Sequence, residues 1–394
     1  MPGQVVVVGA SAAGLATAEA LRAKGYAGKL TLVGQEWHLP YDRPPLSKQV
    51  LSGAWEPERV LLRTDRIDAE LRLGHTAVGL DMAGRELLLD DDRIAFDALV
   101  IATGVRPRRL PGADLTGVHT VRTLDDAVSL RAALLGRPKV VVVGAGFLGA
   151  EVAAVARGMD LDVTLVDPLP APLRRQFGAR IGELLGRTHR DHGVRLRMNT
   201  GVSRFVSVKD RVTAVELTDG TVLDADVVVV AVGSIPATAW LANSGLATRD
   251  GVECDAMCRA APGIYAAGDV ASWHNPLFGR RMRVEHRHNA TEQGTAVAAN
   301  LLGADRPFSP VPYFWSDQYD VRLQAHGIFP PTATMTVVHG DIADRRFAAA
   351  YVENGTVVGV LGWNCPRAVR DLRRLVADRA PWPAEPHHEK QLVS

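Results

Sequence analysis

Two runs of valine, each followed by a glycine-rich turn, dominate the pattern of apolar and polar positions along the chain. They are VVVVGASAAGLA at residues 5–16 and VVVVGAGFLGAE at residues 140–151. A short β-branched run that is closed by glycine is typical of a buried parallel strand. The pattern therefore predicts such a strand at the start of each segment.

The apolar pattern after each valine run predicts a helix and then a second strand. The first copy continues as LATAEALRAKGYA and KLTLVG, and the second continues as AEVAAVARGMDLD and VTLVD. The segments DALVIATGVRP (97–107) and DVVVVAVGSIP (226–236) also share Asp, an apolar strand, Ala-x-Gly and Pro in register. We therefore predict an α/β fold with two Rossmann-like dinucleotide-binding domains.

The last quarter of the chain has a different pattern. The stretches ATMTVVHG, RFAAAYVENG and VVGVLGWN predict three strands, and PRAVRDLRRLV (366–376) predicts a helix. The sequence ENG between the last two strands suits a hairpin turn. A C-terminal α+β domain is therefore expected, with a polar, proline-rich tail PWPAEPHHEKQLVS (381–394) that is expected to be disordered.

Length and charge limit the class of protein. A chain of 394 residues is too long for one ordinary core, so two or three domains are expected. Lysine and arginine number 45 against 44 acidic residues, so a charged partner would have to meet a local patch. No apolar run approaches the length of a membrane span, and the start MPGQVVVVG lacks the features of a signal peptide.

The cysteines indicate the cellular compartment. Only Cys254, Cys258 and Cys365 are present, without a C-x-x-C pair, which argues against a disulfide scaffold and against a redox-active dithiol. His286 and His288 have no companions at metal-ligand spacing, so no metal is expected. We expect a cytoplasmic protein with no nucleic-acid or membrane partner.

The second glycine-rich turn matches a dinucleotide fingerprint. Gly144, Gly146 and Gly149 would provide the tight turn, the close approach to a pyrophosphate and the close packing of helix on strand. The phosphates would bind the amides at the start of the helix.

Asp167 is the expected determinant of nucleotide choice. It ends the strand VTLVD, where a carboxylate binds the adenosine ribose hydroxyls and repels a 2′-phosphate. NADH is therefore favoured over NADPH, although Arg174 and Arg175 nearby temper this preference.

The first turn is less regular. It reads Gly9, Ser11 and Gly14, with serine in place of the middle glycine. Glu36 is the expected ribose ligand after the second strand, with Gln35 as a hydrogen-bonding helper. Two dinucleotide sites in one chain suggest electron transfer between a tightly held flavin and an exchanging nicotinamide.

Further segments carry a family resemblance along nearly the whole chain. They are PYDRPPLSK (40–48), IATGVRPRRLPG (101–112), VRTLDDA (121–127), GIYAAGDVA (263–271) and YFWSDQYDVRLQAHG (313–327). Together with both fingerprints, they resemble the FAD-dependent, NADH-using ferredoxin reductases of the putidaredoxin reductase and aromatic-ring dioxygenase type. The resemblance implies a glutathione-reductase-like architecture. Its expected parts are a discontinuous FAD domain (1–112 and 245–305), an NADH domain (113–244) and the C-terminal domain (306–394).

The resemblance also implies a reaction and a partner. The flavin would take hydride from NADH and pass single electrons to an acidic [2Fe-2S] or similar ferredoxin, which feeds an oxygenase or a cytochrome P450. The contact with the ferredoxin is expected to be transient, and the reductase is expected to be a monomer or weak dimer.

Both fingerprints and the motifs that match the family give a set of expected cofactor-binding residues. They are Gly9, Ser11, Ala12, Ala13, Gly14, Gln35, Glu36, Arg43, Lys48, Val78, Ala102, Thr103, Gly104, Arg122, Gly144, Gly146, Phe147, Leu148, Gly149, Glu151, Asp167, Gly233, Gly268, Asp269, Glu285, His286, Arg287 and Trp315.

Some of these residues have individual roles in the family. Asp269 would hold the ribityl–phosphate region of the flavin, and Val78 would lie beside its adenine. Arg43, Lys48 and Arg122 match cations around FAD. Trp315 would approach the flavin, with a simple core tryptophan as the alternative.

Lys48 and Glu151 are the expected catalytic residues. We predict that they form an ion pair beneath the flavin, where Lys48 reaches the nitrogen that accepts the hydride. The alternative is that Glu151 only stabilises the N-terminus of its helix.

Basic segments are candidates for ferredoxin docking. FGRRMRVEHRH (278–288) includes Arg280, Arg281, Arg283 and Arg287. The C-terminal helix places Arg367, Arg370 and Arg374 near one face, which could equally be a solvated surface. Many family members have an aromatic residue where Arg287 stands, so this chain departs from the family at the position expected to stack on the flavin edge.

Two other functions remain open. One is a signalling or scaffolding flavoprotein similar to the apoptosis-inducing factors. The other is an enzyme that reduces oxygen or small disulfides directly, which the lack of a cysteine near Lys48 disfavours.

Overall fold

The computed structural model describes residues 1–382, which separate into two compact units. Unit 1 comprises Met1–Asp42, Val60–Arg106 and Ile235–Phe314. Unit 2 comprises Arg43–Arg59, Pro107–Ser234 and the chain from Trp315 onward. The tail expected to be disordered begins at Pro381, but this expectation is wrong for its first two residues. Pro381 forms a β-bridge with Thr356, and the amide of Trp382 donates to the carbonyl oxygen of Gly355 at 2.7 Å. Residues 383–394 lie outside the described residues.

Within residues 1–382 the helices are short to medium in length. The α-helices are α1 (Ala12–Ala23), α2 (Gln49–Ser52), α3 (Leu124–Leu135), α4 (Phe147–Gly158), α5 (Arg174–Phe177), α6 (Ala179–Asp191), α7 (Arg287–Leu301) and α8 (Pro366–Ala377). Short 3₁₀ helices span Pro44–Ser47, Pro57–Val60, Ala239–Leu241 and Gly268–Val270.

The strands of the described residues follow in chain order. They are β1 (Gln4–Val8), β2 (Lys29–Gly34), β3 (Glu70–Leu73), β4 (Ala77–Asp81), β5 (Glu86–Leu89), β6 (Arg93–Ala95), β7 (Ala98–Ile101), β8 (Val105–Pro107), β9 (Val118–His119), β10 (Lys139–Val143), β11 (Asp162–Asp167), β12 (Arg195–Met198), β13 (Val202–Val208), β14 (Arg211–Leu217), β15 (Val222–Asp224), β16 (Val227–Val230), β17 (Ser234–Pro236), β18 (Val252–Cys254), β19 (Arg259–Ala261), β20 (Ile264–Ala266), β21 (Ala271–Asn275), β22 (Arg280–Met282), β23 (Tyr313–Gln318), β24 (Val321–Gly327), β25 (Thr334–Asp341), β26 (Arg346–Glu353) and β27 (Thr356–Trp363).

The main sheet of unit 1 has the order β19-β20-β7-β1-β2-β3. The first valine run forms β1, which lies between β2 and β7 and is parallel to both. Val5, Val6 and Val7 have no exposed surface, as expected of a strand that is covered on both faces. Helix α1 follows β1 and packs on α7, and β20 returns to the sheet beside β7.

The second valine run repeats this arrangement in unit 2. Its sheet has the order β12-β11-β10-β16-β9, with β10 parallel to both β11 and β16. The match extends to the register, because Val5 pairs with Ala98 in unit 1 and Val140 pairs with Val227 in unit 2. The predicted duplication of one βαβ fold is therefore confirmed.

The C-terminal part of unit 2 contains the predicted α+β elements. Its sheet has the order β23-β24-β27-β26-β25. Asn354 and Gly355 turn between β26 and β27 with φ of 50° and 69°, respectively. Two consecutive positive φ values define a type I′ turn, so the predicted ENG hairpin is confirmed. Helix α8 follows β27 and packs on it.

The compact units divide the chain differently from the predicted three domains. Residues 235–314 belong to unit 1, as a discontinuous FAD domain requires, but residues 43–59 cluster with unit 2. The predicted domain boundaries stay a prediction. Among residues 1–382, no helix combines the length and apolar character needed to cross a membrane.

Candidate active site

The first glycine-rich turn brings the backbone of unit 1 into very close contact with itself. A Cβ added at Gly14 would lie 1.9 Å from the carbonyl oxygen of Gly9, and one added at Gly9 would lie 2.1 Å from that of Ala102. Ser11 is the N-cap residue of α1, but its side chain makes no capping hydrogen bond. The turn thus places the N-terminal amides of α1, including those of Ala12 and Ala13, where they suit an anion.

The expected ribose residues follow β2. Gln35 is exposed and Glu36 is half-buried. The hydroxyl of Tyr41 donates a hydrogen bond to Glu36 Oε2, which holds the carboxylate in place. Val78 lies on β4 with 53% of its surface exposed, so it is available to a ligand.

Strands β7 and β20 are parallel neighbours in the unit 1 sheet, so the residues that follow them lie together at its carboxyl edge. Ala102 is buried, and Thr103 Oγ1 donates to the carbonyl oxygen of Ala237 at 2.9 Å. Gly268 has φ of 77°, and its amide donates to Gln293 Oε1 at 2.9 Å. Asp269 follows in the 3₁₀ turn, and its carbonyl oxygen accepts a hydrogen bond from Arg283.

The N-terminus of α7 carries a half-buried histidine with one buried ring nitrogen. His286 is the N-cap residue of α7, and its Nδ1 atom is buried without a hydrogen-bond partner among the described residues. Burial lowers the pKa of His286 to about 4. A buried nitrogen without a partner at a helix start is a place where a polar ligand atom would complete the hydrogen bonding.

Arg287 makes an ion pair instead of standing free. Its guanidinium bonds the carboxylate of Asp42 and the hydroxyl of Thr291. Glu285 is exposed and pairs with Arg283. The pairing with Asp42 explains how an arginine is accommodated where the resemblance leads one to expect an aromatic side chain.

These features of unit 1 fit FAD. The turn at Gly9 and Gly14, the amides of α1 and the unsatisfied Nδ1 of His286 are suited to an anionic, heteroaromatic ligand. These residues would hold the pyrophosphate and a polar edge of the ring system.

The second turn, in unit 2, has the same close backbone contacts and, in addition, open space at Gly146. A Cβ added at Gly149 would lie 1.8 Å from the carbonyl oxygen of Gly144, and one at Gly144 would lie 2.3 Å from that of Ala231. A Cβ added at Gly146 would meet nothing within 4 Å. Gly146 thus leaves open space at the start of α4, where Phe147 and Leu148 begin the helix.

Asp167 is anchored by the backbone. Its Oδ2 accepts a hydrogen bond from the amide of Ala145 at 2.7 Å, and its Oδ1 accepts one from the amide of Leu169 at 2.8 Å. Both bonds fix the carboxylate beside the glycine-rich turn. Arg174 and Arg175 are exposed on α5, and Gly233 is exposed with φ of 97°.

Lys48 and Glu151 form the predicted ion pair, within unit 2. Lys48 Nζ lies 2.6 Å from Glu151 Oε2, and the two side chains are only 12% and 7% exposed. Partner loss in such a buried pair costs several kcal/mol, about 3–5 in typical cases, so both residues are structurally coupled. The position of the pair beneath a flavin stays a prediction.

Sequence reasoning missed the hydrogen-bond donors that surround Glu151. Ser47 Oγ lies 2.7 Å from Oε2, and Ser316 Oγ lies 2.7 Å from Oε1. Both serines belong to segments that carry the family resemblance, PYDRPPLSK and YFWSDQYD, but nothing in the sequence indicates that they meet one carboxylate. Ser316 lies 165 positions from Glu151 in the chain.

The other expected flavin residues lie in unit 2. Arg43 donates a hydrogen bond to the carbonyl oxygen of Arg122, whose amide donates to Asp126 Oδ2 at 2.9 Å. Trp315 is half-buried on β23. Their roles toward FAD stay predictions.

The class of protein follows from comparison with known families. Residues 3–294 match the family described as pyridine nucleotide-disulphide oxidoreductase, and residues 313–391 match the reductase C-terminal family. The chain belongs to the pyridine nucleotide-disulphide oxidoreductase family. The expected α/β fold, the oxidoreductase class and the cofactors FAD and NAD(H) are confirmed.

Individual relatives cover nearly the whole chain. The ferredoxin--NAD(+) reductase component of the anthranilate 1,2-dioxygenase system of Burkholderia cepacia is 39% identical, over 94% of this chain and 93% of its own length. The ferredoxin reductase for the CYP199A2 system of Rhodopseudomonas palustris is 37% identical, with a TM-score of 0.92 over 96% of this chain and 95% of that one. The reductase in a covalent putidaredoxin reductase–putidaredoxin complex is 33% identical, with a TM-score of 0.91 over 96% and 94% of the two chains. The resemblance to ferredoxin reductases is therefore confirmed.

Proposed function

We propose that this chain is an NADH-dependent FAD flavoprotein that reduces a ferredoxin, which in turn feeds an oxygenase or a cytochrome P450. The observation that carries the proposal is the pair of glycine-rich turns, one in each unit, in a chain similar over its length to ferredoxin reductases. FAD, when bound, supplies a carrier that accepts a hydride and releases electrons one at a time.

In this reaction the residues of the chain bind the two dinucleotides and orient their reacting groups. The amides at the start of α1 and of α4 bind the pyrophosphates of the two dinucleotides. The ion pair of Lys48 with Glu151 fixes an ammonium group in a site that is largely shielded from water. An ammonium held in this way orients and polarises what it touches without a covalent step.

We propose that the second site takes NADH in preference to NADPH. Asp167 supports this choice, because both of its oxygens accept backbone hydrogen bonds and hold the carboxylate beside the phosphate turn. A fixed negative charge there repels a 2′-phosphate and accepts hydrogen bonds from a free ribose hydroxyl.

The proposed partner is an acidic [2Fe-2S] ferredoxin that binds transiently to α8. Arg367, Arg370 and Arg374 are exposed on this helix, and none has an ion-pair partner within residues 1–382. In the segment 278–288, by contrast, Arg283 pairs with Asp250 and Glu285. Free positive charge on one helix face favours encounter with an acidic partner.

The proposed location is the cytoplasm, where NADH is available. The buried, unpaired thiols of Cys254 and Cys258 fit a reducing compartment. We also propose a monomer or weak dimer as the working form.

Rapid mixing of the purified flavoprotein with NADH tests the proposal. The flavin absorbance should bleach in a single turnover, and the reduced protein should then reduce an acidic [2Fe-2S] ferredoxin faster than it reduces oxygen. Slow bleaching followed by a long-lived charge-transfer band would favour a signalling flavoprotein. Oxygen or small disulfides as the faster acceptors would contradict the proposed partner.

A further inference from the structure

A continuous line of hydrogen bonds leads from Glu151 to a buried histidine. Ser316 Oγ lies 2.7 Å from Glu151 Oε1, and Gln318 Nε2 lies 3.1 Å from Ser316 Oγ. Gln318 Oε1 lies 3.1 Å from His189 Nε2, and His189 Nδ1 lies 3.0 Å from the hydroxyl of Tyr319. All of these residues belong to unit 2.

The side chains along this line are almost completely removed from bulk solvent. Glu151, His189, Ser316 and Gln318 are exposed by 5%, 0%, 1% and 2%, respectively. Ser316 and Gln318 are two positions apart on β23, so they point to the same face of the strand. His189 is presented to this face by α6.

An anionic Glu151 determines the direction of every hydrogen bond in the line. A carboxylate only accepts, so Ser316 must donate to it and must itself accept from the amide nitrogen of Gln318. The oxygen of Gln318 then faces His189, which must carry its proton on Nε2. Nδ1 of His189 is left as an acceptor for the hydroxyl of Tyr319.

The histidine is held in the neutral form that this direction requires. Burial lowers the pKa of His189 to about 4, and Gln318 and His192 act on it more weakly. A neutral imidazole has one donor nitrogen and one acceptor nitrogen, so a single tautomer satisfies both neighbours.

We propose that Ser316, Gln318 and His189 are positioning residues for hydride transfer, which hold the Glu151 carboxylate and through it the ammonium group of Lys48. The inference rests on the proposed function. Lys48 has a long, flexible side chain and stands between the 3₁₀ helix Pro44–Ser47 and α2. Its ammonium group lies 2.6 Å from Glu151. A carboxylate anchored on both oxygens, by Ser47 and by Ser316, restricts where that ammonium group can lie.

The first test compares variants in single-turnover flavin reduction by NADH. Ser316→Ala should lower the limiting rate constant about tenfold, equivalent to about 1.4 kcal/mol, and change the Kd for NADH less than about twofold. Ser316→Thr keeps the hydroxyl and should retain most of the rate. Gln318→Glu should be at least as slow as Ser316→Ala, because two carboxylates would compete for one serine proton.

Thr188→Val is the matched control. Thr188 lies next to His189 on α6, is fully buried, and donates its hydroxyl to the carbonyl oxygen of Leu184 at 3.1 Å, outside the line to Glu151. It should destabilise the protein to a similar extent and leave the rate of flavin reduction unchanged.

The second test reads the tautomer of His189 and does not depend on turnover. Protein labelled with ¹⁵N-histidine separates protonated from unprotonated ring nitrogens, and His189→Gln assigns the signal. We expect the Nε2–H tautomer in the wild type. In Glu151→Gln the amide oxygen of the new side chain should stay with Lys48 and Ser47, so its NH₂ group should donate to Ser316. The direction of every hydrogen bond from Ser316 to His189 then reverses, and His189 should switch to the Nδ1–H tautomer.

The outcomes separate the inference from the proposed function. If NADH does not reduce the wild-type flavin, the proposed function is wrong and the inference falls with it. If the wild type is reduced but Ser316→Ala matches Ser316→Thr, only the inference is overturned. An Nδ1–H tautomer in the wild type, or an unchanged tautomer in Glu151→Gln, also overturns it.

Discussion

At the scale of single residues, His189 shows how burial controls a titratable side chain. It has no exposed surface, and its two ring nitrogens lie within hydrogen-bond distance of Tyr319 and Gln318. Removal from water disfavours the charged imidazolium, which lowers the pKa of His189 from 6.5 to about 4. The folded protein therefore binds this proton less readily than the unfolded chain does.

This difference predicts a pH dependence of stability. Between pH 6.5 and pH 4 the unfolded state binds the proton and the folded state does not, so the free energy of unfolding falls as the pH is lowered. For a pKa shift of this size, the free energy of unfolding at pH 4 is about 3 kcal/mol lower than at neutral pH. Urea denaturation at a series of pH values should show a shallower loss in His189→Gln than in the wild type.

An exposed histidine provides the control for this prediction. His274 lies on β21 at the surface, so His274→Gln should leave the pH profile unchanged. Equal profiles for the wild type and His189→Gln would show that His189 does not remain neutral in the folded protein.

Asp167 supports a prediction on nucleotide choice. The wild type should use NADH with a kcat/KM well over about tenfold higher than that for NADPH, because a fixed carboxylate repels the 2′-phosphate. Asp167→Ala should narrow this ratio. It should also lose about 1–3 kcal/mol of stability, because the amides of Ala145 and Leu169 lose their acceptor.

Asp162 is a matched acidic residue on the same strand. It begins β11 and pairs with Arg195 at 2.6 Å on the surface. Asp162→Ala should therefore preserve the ratio of NADH to NADPH efficiency. Equal use of both nucleotides by the wild type would remove Asp167 from its proposed role.

At the scale of elements, α8 has two distinct faces. Val369, Leu372 and Val376 are at most 1% exposed, whereas Arg367, Arg370 and Arg374 point to solvent. The apolar face explains why the helix packs on β27. The arginine face contributes little to that packing, so it can be changed with small effect on the fold.

Charge reversal on α8 tests the docking proposal. Arg370→Glu should raise the apparent KM for an acidic ferredoxin several-fold at low salt, and this increase should shrink as the ionic strength rises. Single-turnover reduction of the flavin by NADH should not change. Arg187→Glu, at an exposed position on α6, serves as the control. If both reversals slow ferredoxin reduction equally, general charge rather than α8 accounts for the effect.

The predictability of these elements depends on how local their causes are. The βαβ units, the ENG hairpin and the faces of α8 follow from periodicity and turn chemistry, which neighbouring residues determine. The ion pair of Lys48 with Glu151 could be predicted only through the family resemblance. The anchors Ser316, Gln318 and His189 could not, because Ser316 and Glu151 are 165 positions apart and a buried serine has no sequence signature.

At the scale of the whole molecule, the duplication assigns one dinucleotide turn to each unit. The turn of unit 1 contains Gly9 and Gly14, and the turn of unit 2 contains Gly144 and Gly149. Each turn depends on the same close approach, in which the last glycine lies against the carbonyl oxygen of the first. The two copies should therefore be separable by equivalent substitutions.

Gly14→Ala and Gly149→Ala are the equivalent substitutions. Their added Cβ atoms would lie 1.9 Å and 1.8 Å from carbonyl oxygens, so each turn must open. Gly14→Ala should purify with little flavin. Gly149→Ala should retain its yellow flavin and lose most of its reduction by NADH, while dithionite still reduces it. Absorbance of the purified proteins and single-turnover mixing with NADH measure both effects.

Gly158→Ala is the control substitution, because Gly158 lies on the same helix as Gly149 but has open space around it. Nothing lies within 4 Å of its added Cβ, so it should keep both flavin and NADH reduction and gain up to about 1 kcal/mol of stability. Gly146→Ala should also fold normally, because its Cβ meets no protein atom, yet it should bind NADH more weakly since that space is needed by the pyrophosphate. If Gly149→Ala lost the flavin and Gly14→Ala kept it, the assignment of FAD to unit 1 and of NADH to unit 2 would have to be reversed.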